Sequence, residues 1–220
     1  ALDLNVLMGL PGVNGRRDAP VLARLLPLFV SETRRNVQAV QDALAAENAE
    51  EMRALLAAAK GTFVLDAGGL SAIGTAVEAL APCAGRLVVT PHPGEMARLT
   101  GLSAAALAND RAGIALRYAK AWNAVVVLKG ARTVVASPDG RVCVNPTGNP
   151  GLARGGSGDV LAGMLAALLA CGLPAYEAAA CAVYLHGAAA DRTAAKRGEY
   201  GMLPHDILPE LGALFAENQR

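Results

Sequence analysis

Five short, uninterrupted apolar runs in the later three quarters of this chain restrict its fold more than any other feature. They are FVLDA (63–67), RLVVT (86–90), AVVVLKG (124–130), TVVAS (133–137) and RVCVN (141–145). Each has strand length and strand-forming residues, and none alternates with polar residues, so both faces of the sheet they form are buried. Segments of helical character lie between and after them. Residues 71–81 read as helix, and PGEMARLTG (93–101) as a short helix opened by proline. Residues 103–122 read as one long helix with Ser103 as its N-cap. Pro138-Asp139-Gly140 joins the last two runs as a tight hairpin. A glycine-rich loop (148–158) precedes helices expected over Asp159–Cys171, from Ala175 to about Lys196, and from near Pro204. The pattern predicts an α/β fold: a mostly parallel open sheet flanked by helices, with an antiparallel edge.

Residues before 62 have a different texture. Apolar residues recur every three or four positions from Pro20 to Lys60, as at Val21, Leu25, Leu28 and Phe29. AAENAEE (45–51) divides this stretch into two amphipathic helices, with Asn48 as a cap and Glu51 three residues on. The expected organisation is a mainly helical segment over 1–61 and an α/β unit over 62–220.

Composition removes several function classes. Of the 220 residues, 53% are hydrophobic and 18% charged, the opposite of a disordered chain. The 20 Lys+Arg nearly balance the 19 Asp+Glu, which disfavours general nucleic-acid binding but permits a local anion site. The four cysteines form no Cys-x-x-Cys pair, and we expect reduced, mostly buried thiols in a cytoplasmic protein. The N-terminus lacks the basic and apolar regions of a signal peptide. Val160–Leu173, the most apolar stretch, falls short of the roughly 20 residues a membrane span needs. No membrane or nucleic-acid partner is therefore expected, and a homo-oligomer is left open.

The strongest chemical signal is NPTGNPGLARGGSGDVLAGM (145–164), between a strand and a helix. Five glycines, Gly148, Gly151, Gly155, Gly156 and Gly158, fall within eleven residues. They allow close backbone approach, and free amides at the following helix N-terminus favour an anion. Asp159 opens that helix, either as a plain cap or as a carboxylate poised beside a phosphate. Thr90, His92 and Glu95 lie in VVTPHPGEMARLTG (88–101) at another strand end, where a lone histidine is usually structural or merely exposed, although the two prolines that bracket it and fix the turn raise the functional reading. Lys129 and Gly130 end a third strand. Lys129 is either a phosphate contact or a solvated turn residue, with Arg132 and Arg154 adding charge nearby. Asp66, in VLDAGGL, binds a ligand or caps a turn. In an open α/β sheet such strand ends converge on one crevice.

These motifs, with YLHGAAADRTAAKRGEYGMLPHDILPEL, give residues 62–216 a close resemblance to the ADP/ATP-dependent NAD(P)H-hydrate dehydratases of the ribokinase-like superfamily. The resemblance implies a carbon–oxygen lyase that repairs hydrated NADH or NADPH. It phosphorylates the ring hydroxyl from ADP or ATP, with Mg²⁺, and eliminates phosphate. It implies Asp159 as the catalytic base, His92, Asp159 and Gly9 at the substrate, and Glu95 near the metal. It also implies a nucleotide site of Lys129, Gly130, Ala131, Arg132, Thr133, Asn145, Gly155, Gly156, Ser157 and Gly158. Gly68 stands where many members carry Asp, and Arg154 where Thr is usual. Two other readings are a thiazole- or pyrimidine-alcohol kinase of the same superfamily, and a non-catalytic nucleotide-binding or association module. Residues 20–61 resemble a histidine phosphotransfer bundle with Ala57 in place of the phosphoacceptor, so phosphorelay chemistry is not expected.

Overall fold

The computed structural model describes residues 49–58 and 61–217. The proposed cap Asn48, the helix before it and Gly9 lie outside these residues. Helix α1 (Ala49–Ala58) leads to β1 (Phe63–Leu65), α2 (Ala67–Ile73) and a 3-10 stretch (Val77–Cys83). Strand β2 (Leu87–Val89) is followed by α3 (Pro93–Thr100), α4 (Ala104–Asn109) and α5 (Arg111–Trp122). Next come β3 (Val125–Leu128), β4 (Val134–Ala136) and β5 (Val142–Val144). A short 3-10 turn (Pro150–Leu152) precedes α6 (Ser157–Ala170) and α7 (Ala175–Arg197). A last 3-10 turn (Pro204–Asp206) enters α8 (Ile207–Glu217).

The five strands form one sheet in sequence order. β1, β2 and β3 pair in parallel, and β3, β4 and β5 then form an antiparallel meander. Two reversals leave β5 pointing the same way as β1–β3, so four of five strands end at one edge. This is the expected mostly parallel sheet with its antiparallel hairpin.

Alternation along each strand explains the apolar runs. Leu87, Val89, Val126, Leu128, Val134 and Ala136 pack on one face with α1–α5. Val88, Val125, Val127 and Val135 face the other way, against Leu161 and Leu165 of α6 and Ala178, Ala179, Ala182 and Val183 of α7. Burying each of the valine and leucine side chains contributes about 1.5–3 kcal/mol. The alanines let α7 lie close to the sheet. A third cluster joins α7 to α8 through Ala189, Ala190, Met202, Ile207 and Leu214. Helix α1 joins the first face: Leu56 is buried there, and Cys83 Sγ donates to the Leu56 carbonyl at 3.3 Å.

Three local expectations need correction. Residues 103–122 are two helices, not one. Ser103 does cap the first, but Asp110 ends α4 and restarts the chain as the cap of α5, its carboxylate accepting the Gly113 N–H at 2.8 Å. Short polar side chains such as Asp compete for backbone donors in this way. Residues 71–81 are likewise divided: α2 closes at Gly74, and Pro82, which lacks an N–H, sits in a 3-10 stretch. Finally, only Cys83 of the four free thiols is buried; Cys143 and Cys181 are half-buried, and Cys171 is exposed at the end of α6. Among the described residues, no helix is long and apolar enough to cross a membrane.

Candidate functional site

The shared strand edge gathers the motif residues. Asp66 follows β1, Thr90 to Glu95 follow β2, Lys129 and Gly130 follow β3, Thr133 precedes β4, and Asn145 follows β5. Backbone bonds hold these ends in place: Thr90 N donates to Leu65 O at 3.1 Å, Lys129 N to Pro91 O at 2.9 Å, and Asn145 N to Thr133 O at 2.8 Å.

At the centre is an ion pair that the sequence left open. Lys129 Nζ lies 2.5 Å from Asp66 Oδ1 and 3.9 Å from Glu95 Oε2. A Cβ built on Gly158 would lie 3.4 Å from Asp66 Oδ2 and 3.6 Å from Lys129 Nζ. The first turn of α6 therefore stands directly beside this pair, with its amides and dipole. Gly156 makes that entry possible, since its φ of +94° is a left-handed conformation that side chains disfavour. Asp159 is exposed at the third position of α6.

His92 is first of all a helix cap. Its Nδ1 accepts the Gly94 and Glu95 N–H groups at 3.0 and 3.2 Å, and the Glu95 carboxylate accepts the His92 N–H at 2.7 Å. Its Nε2 lies 3.4 Å from Glu95 Oε1, and the side chain is 53% exposed, so one ring carries both a cap and an open edge. Glu95 is buried. Among the described residues, no three His, Cys, Asp or Glu side chains gather as a metal cage. That donor set fits a magnesium ion that arrives on phosphate oxygens and gains one carboxylate, rather than an all-protein site.

A cavity of about 470 Å³ opens from Lys129. Lys129, Gly130, Ala131, Arg132 and Thr133 line one wall; Asn145, Thr147, Gly148 and Leu152 form a second; Ser157, Gly158 and Leu161 of α6, with Val183, His186 and Gly187 of α7, complete it. Of the sequence-derived nucleotide residues, Gly155 and Gly156 are not among the lining. Gly155 is exposed, and Gly156 acts through the turn into α6. Arg132 lines the cavity, whereas Arg154 donates to the Tyr200 carbonyl instead.

Four residues that shape the cavity escaped the sequence reading. Asp191 accepts the Gly148 N–H and the Asn149 amide, each at 2.9 Å, and so fixes the NPTGN loop. Gly187 lets that loop touch α7, because a Cβ there would fall 2.8 Å from Gly148 N. A Gly-x-x-x-Asp spacing places both on one helix face, which is the signal that would have found them. Arg111 of α5 donates to the Leu128 and Lys129 carbonyls at 2.9 and 3.1 Å, bracing the turn after β3, and burial pulls its pKa down. His186, inside YLHG, is buried in the cavity wall.

Known proteins resemble this chain in sequence and in fold. A family model described as NAD(P)H-hydrate dehydratase matches residues 31–212. The bifunctional NAD(P)H-hydrate repair enzyme of Moorella thermoacetica is 54% identical over 145 residues, or 66% of this chain and 27% of that protein. The ADP-dependent (S)-NAD(P)H-hydrate dehydratase of Neisseria meningitidis serogroup B is 46% identical over 149 residues, covering 66% of this chain and 50% of that protein. Among solved structures, the Bacillus subtilis ADP/ATP-dependent NAD(P)H-hydrate dehydratase co-crystallised with ATP/Mg²⁺ superposes with a TM-score of 0.60 at 37% identity. That match covers 70% of this chain and 54% of that one. The chain thus spans between about a quarter and a half of these relatives' lengths. The strand-end motifs, the sheet that gathers them and the family match over residues 31–212 agree: this chain belongs to the NAD(P)H-hydrate dehydratase family.

Proposed function

We propose that the chain carries the nucleotide half of an ADP-dependent NAD(P)H-hydrate dehydratase and supplies that reaction's base. The observation that carries this reading is the cavity between residues 129–133 and 145–150. It ends at the first turn of α6, one residue before Asp159. ADP is the nucleotide expected, with ATP as the alternative donor. Its terminal phosphate lies against the α6 amides and Lys129, where charge is stabilised by groups already in place. Magnesium, when bound, neutralises further phosphate charge.

Asp159 takes the proton from the hydroxyl that hydration placed on the nicotinamide ring. The freed oxygen attacks the terminal phosphorus, and the bond to AMP breaks. The ring carbon–oxygen bond then breaks, phosphate leaves with its electron pair, and loss of a proton restores the ring double bond. The sum is hydrate plus ADP giving NAD(P)H, AMP and phosphate. His92 offers its open edge to the hydrate, and Gly9 is proposed as a second contact. A division at residue 61 and a cytoplasmic location complete the reading.

The test is to supply NADH hydrate, Mg²⁺ and ADP and to follow the near-ultraviolet absorbance that only the intact reduced ring shows. Recovery that requires ADP and disappears in Asp159→Asn supports the dehydratase. No recovery while ADP still binds leaves a nucleotide-binding module without turnover, and sinks the enzymatic reading for this chain alone.

A further inference from the structure

The main chain of Lys129 is fixed on both sides. Its N–H donates to the Pro91 carbonyl at 2.9 Å, and its own carbonyl accepts from Arg111 at 3.1 Å. Beyond that point runs a four-carbon stem, which takes many rotamers unless its end is tied. The end is tied. Asp66 Oδ1 accepts from Lys129 Nζ at 2.5 Å, and the two side chains are 12% and 18% exposed. Glu95 Oε2, at 3.9 Å, adds attraction but lies beyond hydrogen-bond distance.

Asp66 is placed for this contact and not for its own helix. It occupies the N-cap position of α2, where an aspartate ordinarily accepts a backbone N–H, yet its side chain makes no cap hydrogen bond. The next residue, Ala67, takes a φ of +42°, a left-handed conformation that residues with a Cβ disfavour. A forgone cap and a strained backbone both cost stability, and such costs persist where the surrounding structure imposes them. Lys129 lines the cavity and Asp66 does not. Lys129 Nζ also lies 3.6 Å from the position of a Cβ on Gly158, which lines the same cavity. The carboxylate therefore stands behind the ammonium. It takes one of the three N–H groups on Nζ and leaves two.

We propose that Asp66 is a positioning residue for the nucleotide: it acts through Lys129, holding the ammonium where the terminal phosphate of ADP meets the first turn of α6. This rests on the nucleotide-site reading above. A carboxylate that merely repels phosphate would have the opposite effect. Coulomb repulsion alone predicts tighter ADP binding when a negative charge beside the phosphate is removed. Loss of orientation predicts weaker binding, because the ligand must then order the freed lysine stem itself.

Calorimetry on the full chain separates the two. Asp66→Ala is expected to weaken ADP binding about tenfold and to leave AMP, which lacks the terminal phosphate, within about twofold. Asp66→Asn keeps an oxygen that accepts from the ammonium, and is expected to stay within about threefold of the unaltered chain for ADP. In a Lys129→Met background no ammonium remains to be held, so Asp66→Ala is expected to cause no further loss. Unchanged or tighter ADP binding in Asp66→Ala overturns the proposal. So does an equal loss for AMP, an equal loss in Asp66→Asn, or a loss that persists in Lys129→Met, since Asp66 would then act on the ligand or its metal directly. Failure of both Asp66 variants to fold overturns it too, because that makes the residue structural. If the unaltered chain binds no ADP, the nucleotide-site reading itself fails and takes this one with it. If it binds ADP and Asp66 is silent, only this one fails.

Discussion

The two sides of Lys129 are built to different degrees. On the β3–β5 side the chain forms a cavity whose loop is held by Asp191 and whose turn is braced by Arg111. On the β1–β2 side the groups assigned to the hydrate stand in the open. Asp159 is exposed, the His92 side chain is 53% exposed, and Gly9 lies outside the described residues. The side we assign to the nucleotide is built by local packing, because hairpin, glycine loop and two helices are contiguous between residues 125 and 197. Among the described residues, the side we assign to the hydrate draws on the starts of α3 and α6. A concave cavity covers more of a ligand and supports affinity, whereas an open edge supports chemistry only on what is brought to it.

Substitutions on either side sharpen that contrast. The largest effect is expected from Asp159→Asn, which should lower turnover about a thousandfold while ADP affinity, read by calorimetry, stays within about twofold. Acid comes next. His186 is held near pKa 4 when folded and titrates near 6.5 when unfolded, so its contribution is whole above pH 6.5 and is lost as pH falls toward 4. Denaturant titrations should show about 3 kcal/mol less stability across that window, and His186→Met should remove that part of the slope. Gly187→Ala pushes a Cβ onto Thr147 and Gly148 and should cost about 1–3 kcal/mol, with weaker ADP binding because the loop must shift. Lys129→Met should weaken ADP about tenfold and, if the contrast is right, should leave the fold intact. The smallest effect is expected at the open side: His92→Ala removes the α3 cap, costs about 1 kcal/mol, and leaves ADP affinity unchanged. A His92→Ala protein that loses ADP binding would break the division into two sides.

Much of this was legible in the sequence, and the rest has physical reasons for being hidden. The apolar runs announced a sheet buried on both faces, and all four β3 residues are indeed buried. Pro138-Asp139-Gly140 announced the β4–β5 hairpin. Pro93 and Ser103 marked the starts of α3 and α4. The break at Asp110 was masked because helical periodicity continues through it while only one side chain changes partner. The Asp66–Lys129 pair was undecidable, since each residue alone reads as a turn residue and 63 positions separate them. Asp191 and Gly187 sat inside an alanine-rich helix whose pattern says only that it is buried. Their roles come from the NPTGN loop landing on that helix, which is a tertiary fact.

The central claim is that residues 125–197 form a nucleotide site complete in itself. Titrating ADP into the full chain by calorimetry, with no hydrate present, tests it most directly. The account predicts saturable binding of one ADP per chain, weakened by Lys129→Met but not by His92→Ala. Absence of ADP binding, or binding that appears only when hydrate is added, would contradict it.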